Sequence, residues 1–322
     1  MPRPRSAPDL YLLSKVSTLY YLRAQTQQQI ADRLRLSRPR VSRLLQEAQD
    51  HGIVQITVAP PVGLHTELES KLEARFGLEE ALVVGAEGGG GRGGAELRRQ
   101  VGGAAATYLA RSVEPGETIG LAWGTTLDAM VQALTPIPTE GVSVVQTLGG
   151  IGPADATAYA ASVVRRLAHL LGATPVLLPA PGVVASPAVR DALRDDPHLQ
   201  PALRRLDAID TLFVGVGSLA SNPVLNDGTS FPPGTLDELR AAGAVGDVAL
   251  RFFDAAGAFV PTSLDDRLLG ITAEQLRKVR RVVAVAGGAE KADAIHAALR
   301  AGIVHVLITD QRTARDLAAR AR

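Results

Sequence analysis

The sequence predicts an α/β chain in two parts, a small helical module with a β wing followed by a larger, doubly wound α/β domain. Three observations carry that expectation. From Leu82 to Arg320, short apolar runs alternate with amphipathic helical patterns, the rhythm of a parallel sheet covered by helices. Ahead of Pro60-Pro61, two short capped helices joined by a tight turn precede a run of alternating apolar and polar residues. Charge is also split. Residues 1–61 hold nine cations (Arg3, Arg5, Lys15, Arg23, Arg33, Arg35, Arg38, Arg40, Arg43) against four acids (Asp9, Asp32, Glu47, Asp50), a net of +5 in a chain whose total is +1, which leaves −4 for the rest. A basic head on a mildly acidic body points to a reader of polyanions attached to a second function. A length of 322 residues fits two domains, placed here at 1–61 and 62–322.

Composition narrows the classes. Apolar residues make up 46% and charged residues 21%, enough for a packed core and against global disorder. Cysteine is absent, which removes disulfides, thiolate zinc sites and a cysteine nucleophile, and agrees with a reducing cytoplasm. Met1-Pro-Arg-Pro-Arg5 is polar and proline-broken, so no signal segment is expected. The longest uncharged central stretch, 172–189, contains Pro175, Pro179, Pro181 and Pro187, so no membrane span is expected either.

Element by element, Leu10–Leu22 reads as a supporting helix with Leu12, Leu13, Val16, Leu19 and Tyr20 on its inner side. Thr26-Gln-Gln-Gln29 opens the next helix, with Thr26 as N-cap and Gln29 reaching back, and Ile30, Ala31 and Leu34 form its buried face. Arg35-Leu36-Ser37 is a tight turn with Leu36 as an apolar plug. Ser37 caps the following helix, and Pro39 falls in the first turn, where a missing N–H costs little. Val41, Leu44, Leu45 and Ala48 define one apolar face. Pro39, Ser42, Arg43 and Gln46 lie opposite, with Arg40 on the flank and Arg38 at the start.

This is helix-turn-helix anatomy, in which the second helix enters the major groove of double-stranded DNA. Arginine forks fit guanine, Ser and Gln reach bases or phosphates, and Thr26, Gln27 and Gln28 at a helix N-terminus suit phosphates. The candidate DNA-contacting residues are therefore Thr26, Gln27, Gln28, Ser37, Arg38, Arg40, Ser42, Arg43 and Gln46. The plainer alternative is an antiparallel helix pair with a solvated arginine face. Gly52 stops the second helix, and Ile53–Val58 alternates as a wing strand would, giving a winged helix-turn-helix.

In the larger part, Pro60-Pro61 and Gly63 mark a stiff hinge. Leu64, Leu68, Leu72 and Phe76 share a helical face stopped by Gly77, read as a linker helix that also pairs protomers, with core packing as the alternative. The glycine run 87–94 reads as a mobile loop. Strands are expected at 82–84, 118–122, 143–147, 176–178, 211–216, 248–253, 282–286 and 304–308. Helices are expected at 96–112, 127–134, 157–171, 188–193, 235–241, 273–279, 290–301 and 312–320. Phe252–Asp254 and Ala258–Val260 read as a hairpin inserted into the sheet.

Ligands of open α/β sheets sit at strand carboxyl ends, against helix N-termini. Three loops satisfy that placement. Ala122-Trp-Gly-Thr-Thr126 offers Gly124 for close backbone approach and Thr125 and Thr126 as donors, which suits a phosphate. Ala286-Gly-Gly-Ala-Glu-Lys291 adds a cation, one of only four lysines among 34 basic residues. Gln146-Thr-Leu-Gly-Gly150 offers amide and backbone donors to sugar hydroxyls. Each loop alone is equally an ordinary α/β turn. Arg251 and Arg267 are weaker candidates that would serve as well in pairs with nearby acids. Asp227, Asp247 and Asp254 form no acid–base pairing motif, and the six histidines have no metal-ligand spacing, so no cofactor and no catalysis are expected. An isomerase-like enzyme with an appended DNA module is the alternative.

Several separated blocks resemble one family. Leu10-Tyr-Leu-Leu-Ser-Lys-Val16, Ile30-Ala31, Leu36-Ser-Arg38, Val41-Ser-Arg-Leu-Leu45, Trp123-Gly-Thr-Thr126, Gly243-Ala-Val-Gly-Asp247, Arg251-Phe-Phe-Asp254, Ala286-Gly-Gly288, Lys291 and Leu307-Ile-Thr-Asp310 look like SorC-type sugar-binding transcriptional regulators, to which the DeoR-like group of bacilli is similar. The resemblance spans nearly the whole chain. It implies an effector domain like sugar-phosphate isomerases of the ribose-5-phosphate and glucosamine-6-phosphate type, a phosphorylated sugar as effector, and a cytoplasmic homotetramer on operator DNA. It carries over Gly124, Thr125, Thr126, Gln146, Asp247 and Lys291 as effector-binding residues. Leu148 and its neighbours supply none of the lysine that holds the sugar in some relatives, so covalent capture is not implied.

Overall fold

The computed structural model describes residues 9–54, 64–85, 93–152, 154–219, 231 and 233–320, and the chain divides into two compact units, Met1–Pro60 and Pro61–Arg322. In the first unit, α1 (Leu10–Ser17) runs into a π-helical turn, Thr18–Leu22, and is followed by α2 (Gln27–Leu34) and α3 (Arg38–Asp50). Their shared core is Leu13, Val16, Leu19, Ile30, Ala31, Val41, Leu44, Leu45 and Ala48, all buried. Thr26 and Gln29 form a reciprocal capping box, Thr26 Oγ1 accepting from Gln29 N at 3.2 Å and Gln29 Oε1 from Thr26 N at 2.9 Å. Arg35 takes a left-handed conformation (φ 55°) to turn the chain between α2 and α3. Ser37 stands at the N-cap of α3 in extended conformation, but its hydroxyl makes no cap bond. The expected wing strand and the Pro60-Pro61 hinge lie almost wholly outside the described residues, as do most of the glycine run and Asp227.

The second unit is built on a seven-stranded sheet, in which β1 (Glu80–Val84), β2 (Thr118–Leu121), β3 (Ser143–Gln146), β4 (Thr174–Val176), β5 (Thr211–Val214), β9 (Arg281–Val285) and β10 (Val306–Asp310) lie in the order β1-β10-β9-β5-β2-β3-β4. Every pairing in it is parallel. The apolar runs that fill β2, β3, β5 and β10 are buried throughout, as a sheet covered on both faces requires. The chain moves from β2 through β3 to β4 in one direction and from β5 through β9 to β10 in the other. Right-handed crossovers then place helices on opposite faces, the doubly wound arrangement. Fully buried Phe213, Ile119, Leu121, Leu212 and Ile308 anchor the core, each such side chain stabilising by about 1.5–3 kcal/mol.

The helix with the Leu64–Phe76 stripe, α4 (Thr66–Phe76), docks on the edge strand β1. Leu72 is buried, Leu68 and Phe76 pack beside it, and Leu64 is exposed. Glu73 Oε1 accepts from Ala81 N and Glu69 Oε1 from Val83 N, both at 2.9 Å, so α4 satisfies the free N–H groups of that edge.

The expected strand 248–253 is a correction. Ala249 (φ 51°) and Leu250 (φ 59°) both turn left-handed and fold the run into a hairpin of β7 (Ala244–Val248) and β8 (Arg251–Asp254). With β6 (Gly217–Ser218) these strands make a separate three-stranded antiparallel sheet. Apolar composition conceals the turn, which lacks the usual Asn-Gly or Asp-Gly signal. Asp247 supports it, its Oδ2 accepting from Leu250 N at 3.0 Å. The second hairpin forms as expected, Phe253 bridging Phe259, but extends this small sheet instead of entering the large one.

The small sheet lies tightly on the helix Ala292–Arg300. A Cβ on Gly246 would come within 2.6 Å of both Ala294 Cβ and the Gly217 carbonyl. Gly246→Ala is therefore expected to cost about 1–3 kcal/mol by overpacking, read as a lower urea midpoint with an unchanged slope. An unchanged midpoint would show that the contact relaxes freely.

Candidate functional site

Because the large sheet is wholly parallel, the loops after β2, β3 and β9 leave from one edge. The strand order reverses between β2 and β5, which makes that edge a crevice at the topological switch point. The loop after β2 carries Trp123 and Gly124, whose φ of 153° opens α6 (Thr125–Ala133). Thr125 is exposed and Thr126 half-buried, and a helix start leaves first-turn N–H groups unspent. Asp128 in that turn faces Gln132 and the Tyr159 hydroxyl, and burial with this carboxylate pushes the Tyr159 phenol up to about 12.

After β9, a short 3-10 turn, Ala289–Lys291, leads into the helix Ala292–Arg300. Burial is the largest influence on Lys291 and pushes its ammonium below the ordinary value. The Glu290 and Asp247 carboxylates favour the charge, and Arg98 opposes it. Asp247 reaches Lys291 because β7 pairs with β6 immediately beyond β5, Asp247 opposite Gly217. The structure thus brings Lys291 and Asp247 together. It adds Arg98 on α5 (Gly93–Ser112), a residue that sequence reasoning missed because the helix is one of many arginine-bearing ones. The Gly124 loop lies across β5, two strand spacings or about 10 Å from the β9 loop.

Other expected donors are committed within the protein. Gln146 is buried, donates from Nε2 to the Leu148 carbonyl at 2.8 Å and accepts from Leu178 N at 3.4 Å. Gly149 N and Gly150 N donate to Leu269 and Ala180 carbonyls. Gln146 therefore shapes the third loop, and its two polar ends do not point freely at a ligand. Gly288 N donates to Asp310 Oδ2 at 2.8 Å and to Thr313 Oγ1 at 3.1 Å. Asp310 also accepts from Arg312 N and Thr313 N, so this carboxylate ties the β9 loop to the β10 loop. Arg251 pairs with Asp265 at 2.8 Å, and Arg267 donates to the Val184 and Ala185 carbonyls, so both serve the fold.

In the first unit, Ser37, Arg38, Ser42, Arg43 and Gln46 are exposed on α3 and Arg40 is half-buried. Residues 38, 42 and 46 share one line of the helix. Arg38 shares an open notch with Tyr20, Gln25, Thr26, Gln27 and Gln28, which places a cation beside the N-terminus of α2. Gln28 and Gln46 each donate to the aspartate four residues on, Asp32 at 2.8 Å and Asp50 at 3.0 Å, and Thr26 is spent on its cap. Among the described residues no group of His, Asp and Glu could hold a metal ion, and no helix is long and apolar enough to cross a membrane.

The family model described as "Putative sugar-binding domain" matches residues 61–319. The chain belongs to the SorC-type sugar-binding transcriptional regulators. It is 35% identical over 307 residues to the deoxyribonucleoside regulator of Bacillus subtilis, covering 94% of this chain and 96% of that one. It is 30% identical to the sorbitol operon regulator of Klebsiella pneumoniae, covering 96% and 98%. The crystal structure of full-length SorC from Klebsiella pneumoniae superposes with a TM-score of 0.74 at 29% identity, covering 97% of this chain and 100% of that one. The α/β architecture of this SorC-type chain, with its mostly parallel sheet, is that of the family.

The Lys291 environment has a measurable consequence. A lysine whose folded-state pKa is depressed binds fewer protons than in the unfolded chain, so its burial cost fades as pH rises through that pKa. Ligand-free Lys291→Met is expected to be more stable than wild type at about pH 8, with the gap closing towards about pH 10. Urea midpoints at the two pH values measure it, and a constant gap would place the ammonium in solvent.

Proposed function

We propose that this SorC-type regulator binds operator DNA through a winged helix-turn-helix in residues 1–61, and that a phosphorylated sugar or related metabolite in the 62–322 domain controls that binding. The observation that carries the reading is the convergence at one sheet edge of a helix-opening glycine loop, Gly124–Thr126, and the half-buried Lys291. Thr125 and Thr126 would take phosphate oxygens with hydroxyl and N–H groups. Lys291 supplies the charge, and binding an anion restores the protonated ammonium that burial disfavours. Asp247 would accept from a sugar hydroxyl, and Gln146 would hold the loop between them. The span of about 10 Å between the loops suits a pentose or hexose phosphate.

On DNA, Arg38, Arg40, Ser42, Arg43 and Gln46 would face the major groove. Ser37 and the turn of Thr26, Gln27 and Gln28 would meet phosphates. Effector binding favours one arrangement of protomers, in the homotetramer that the family resemblance implies, and so alters the spacing of recognition helices over half-sites. The setting is the cytoplasm, where operator and phosphorylated sugars are found together. The isomerase reading is less favoured, since Asp247 and Asp310 accept from the protein's own donors and no acid–base pair is assembled among the described residues.

Trp123, the one tryptophan, adjoins Gly124 and reports directly on the site. Titration with a panel of sugar phosphates is expected to change its fluorescence for a subset of them, and no response across the panel would remove the effector reading. Lys291→Ala is expected to abolish the response of DNA binding to that sugar phosphate while preserving DNA binding without it. Effector affinity equal to wild type would take Lys291 out of the site. Arg43→Ala is expected to weaken specific binding by about 1–3 kcal/mol if the side chain reads a base, and an unchanged gel shift would remove Arg43 from the DNA interface.

A further inference from the structure

A cavity of about 230 Å3 lies in the larger unit, lined by residues other than those of the loops just described. The helices Pro187–Asp195 and Gln200–Arg205, the start of β8 and segment 265–275 enclose it. Four arginines line it, Arg190, Arg194, Arg204 and Arg251, against two acids, Asp207 and Asp265. The neutralisation is incomplete. Arg190 pairs with Asp191 at 2.8 Å and Asp266 at 3.3 Å. Asp207 accepts from Gln275 Nε2 at 2.6 Å. Arg204 reaches only the neutral Gln200, at 2.8 Å, and Arg194 has no acid partner among the described residues.

The deepest of the four is Arg251, 5% exposed. Its Nε donates to the Ile271 carbonyl and its Nη1 to Asp265, both at 2.8 Å, and Nη2 has no acceptor among the described residues. Burial pushes the Arg251 pKa down; the hydrogen bond and charge of Asp265 oppose it, and Arg190 and Arg194 push the same way as burial. An Nη2 donor without an acceptor therefore faces the same half-open space as the solvent-exposed Arg194 and Arg204, and an anion there would meet several guanidinium donors that have no carboxylate opposite them among the described residues.

We propose that this cavity is a second anion site, which takes a phosphate dianion, free or as the phosphomonoester of a small metabolite. A phosphate presents several acceptor oxygens, which planar arginine forks match. The volume falls below the roughly 300–1,000 Å3 of pockets for drug-sized ligands, which suits a group the size of a phosphate. The site does not depend on the effector reading, but the two share a wall. Gly270 bridges Leu148, and Ile271 N donates to the Thr147 carbonyl at 2.8 Å, so the loop after β3 rests on the segment that carries the cavity.

Equilibrium dialysis of the full chain against inorganic phosphate, read as bound phosphate per chain, tests the proposal. Arg194→Ala combined with Arg204→Ala is expected to remove one bound phosphate, while Lys291→Ala keeps that one. Both arginines are exposed, so the variant is expected to keep the wild-type urea midpoint, and Arg194→Ala alone gives the same reading as weakened affinity. Competition by glycerol phosphate at lower concentration than phosphate itself identifies a phosphomonoester site, and weaker competition identifies free phosphate. Undiminished binding by the arginine variants overturns the proposal. So does loss of all bound phosphate in Lys291→Ala, whereas a failed effector site leaves the arginine arm of the experiment intact.

Discussion

The uninterrupted parallel pairing of the seven-stranded sheet is the constraint on which the rest of the second unit depends. Parallel strands send every carboxyl end to the same edge and oblige each connection to cross back over a face. Both faces then need apolar cover, which is why the strands read as solid apolar runs. The same constraint gathers Gly124, Gly149, Gly288 and Lys291 on one side, although more than 160 residues separate the first from the last. The strand order reverses between β2 and β5, and the small antiparallel sheet begins at β6, shortly after β5 in the chain.

The edge is held by polar groups that turn inward. Asp310 gathers N–H donors from the β9 loop and from its own helix start, and Gln146 spans from its own loop to Leu178 beyond β4. These groups are buried and satisfied, and each fixes a loop without offering itself to solvent. Lys291 differs, because burial acts against its charge and its neighbouring carboxylates compensate only in part. Under the function proposed, an anionic ligand would offset that imbalance.

Much of this was legible in the sequence. The helical spacing of Val41, Leu44, Leu45 and Ala48, the Thr26–Gln29 box and the positions of most strands follow from periodicity and capping chemistry, which are local. The misread stretch is instructive. Val248–Phe253 looks like one strand because Ala249 and Leu250 make a left-handed turn without glycine or asparagine, held by the Asp247 carboxylate. Which donors remain for a ligand was not legible. Gln146 looked available by position and is spent on two backbone groups. Arg98, which no sequence motif singled out, is close enough to act on Lys291. Those facts belong to contacts between elements far apart in the chain, which no local pattern encodes. The arginine cavity is of the same kind, with walls drawn from three separate segments.

The central claim is that filling the carboxyl edge of the sheet changes the grip of α3 on DNA, and such coupling is reciprocal by thermodynamic necessity. Its most direct test is a pair of titrations on the full chain, using a duplex that the protein itself selects from random sequence. Duplex affinity is measured with and without a saturating sugar phosphate, and sugar-phosphate affinity with and without saturating duplex. The account predicts that both change by the same factor, on the order of 5- to 150-fold. Affinities that stay the same in both directions would contradict it.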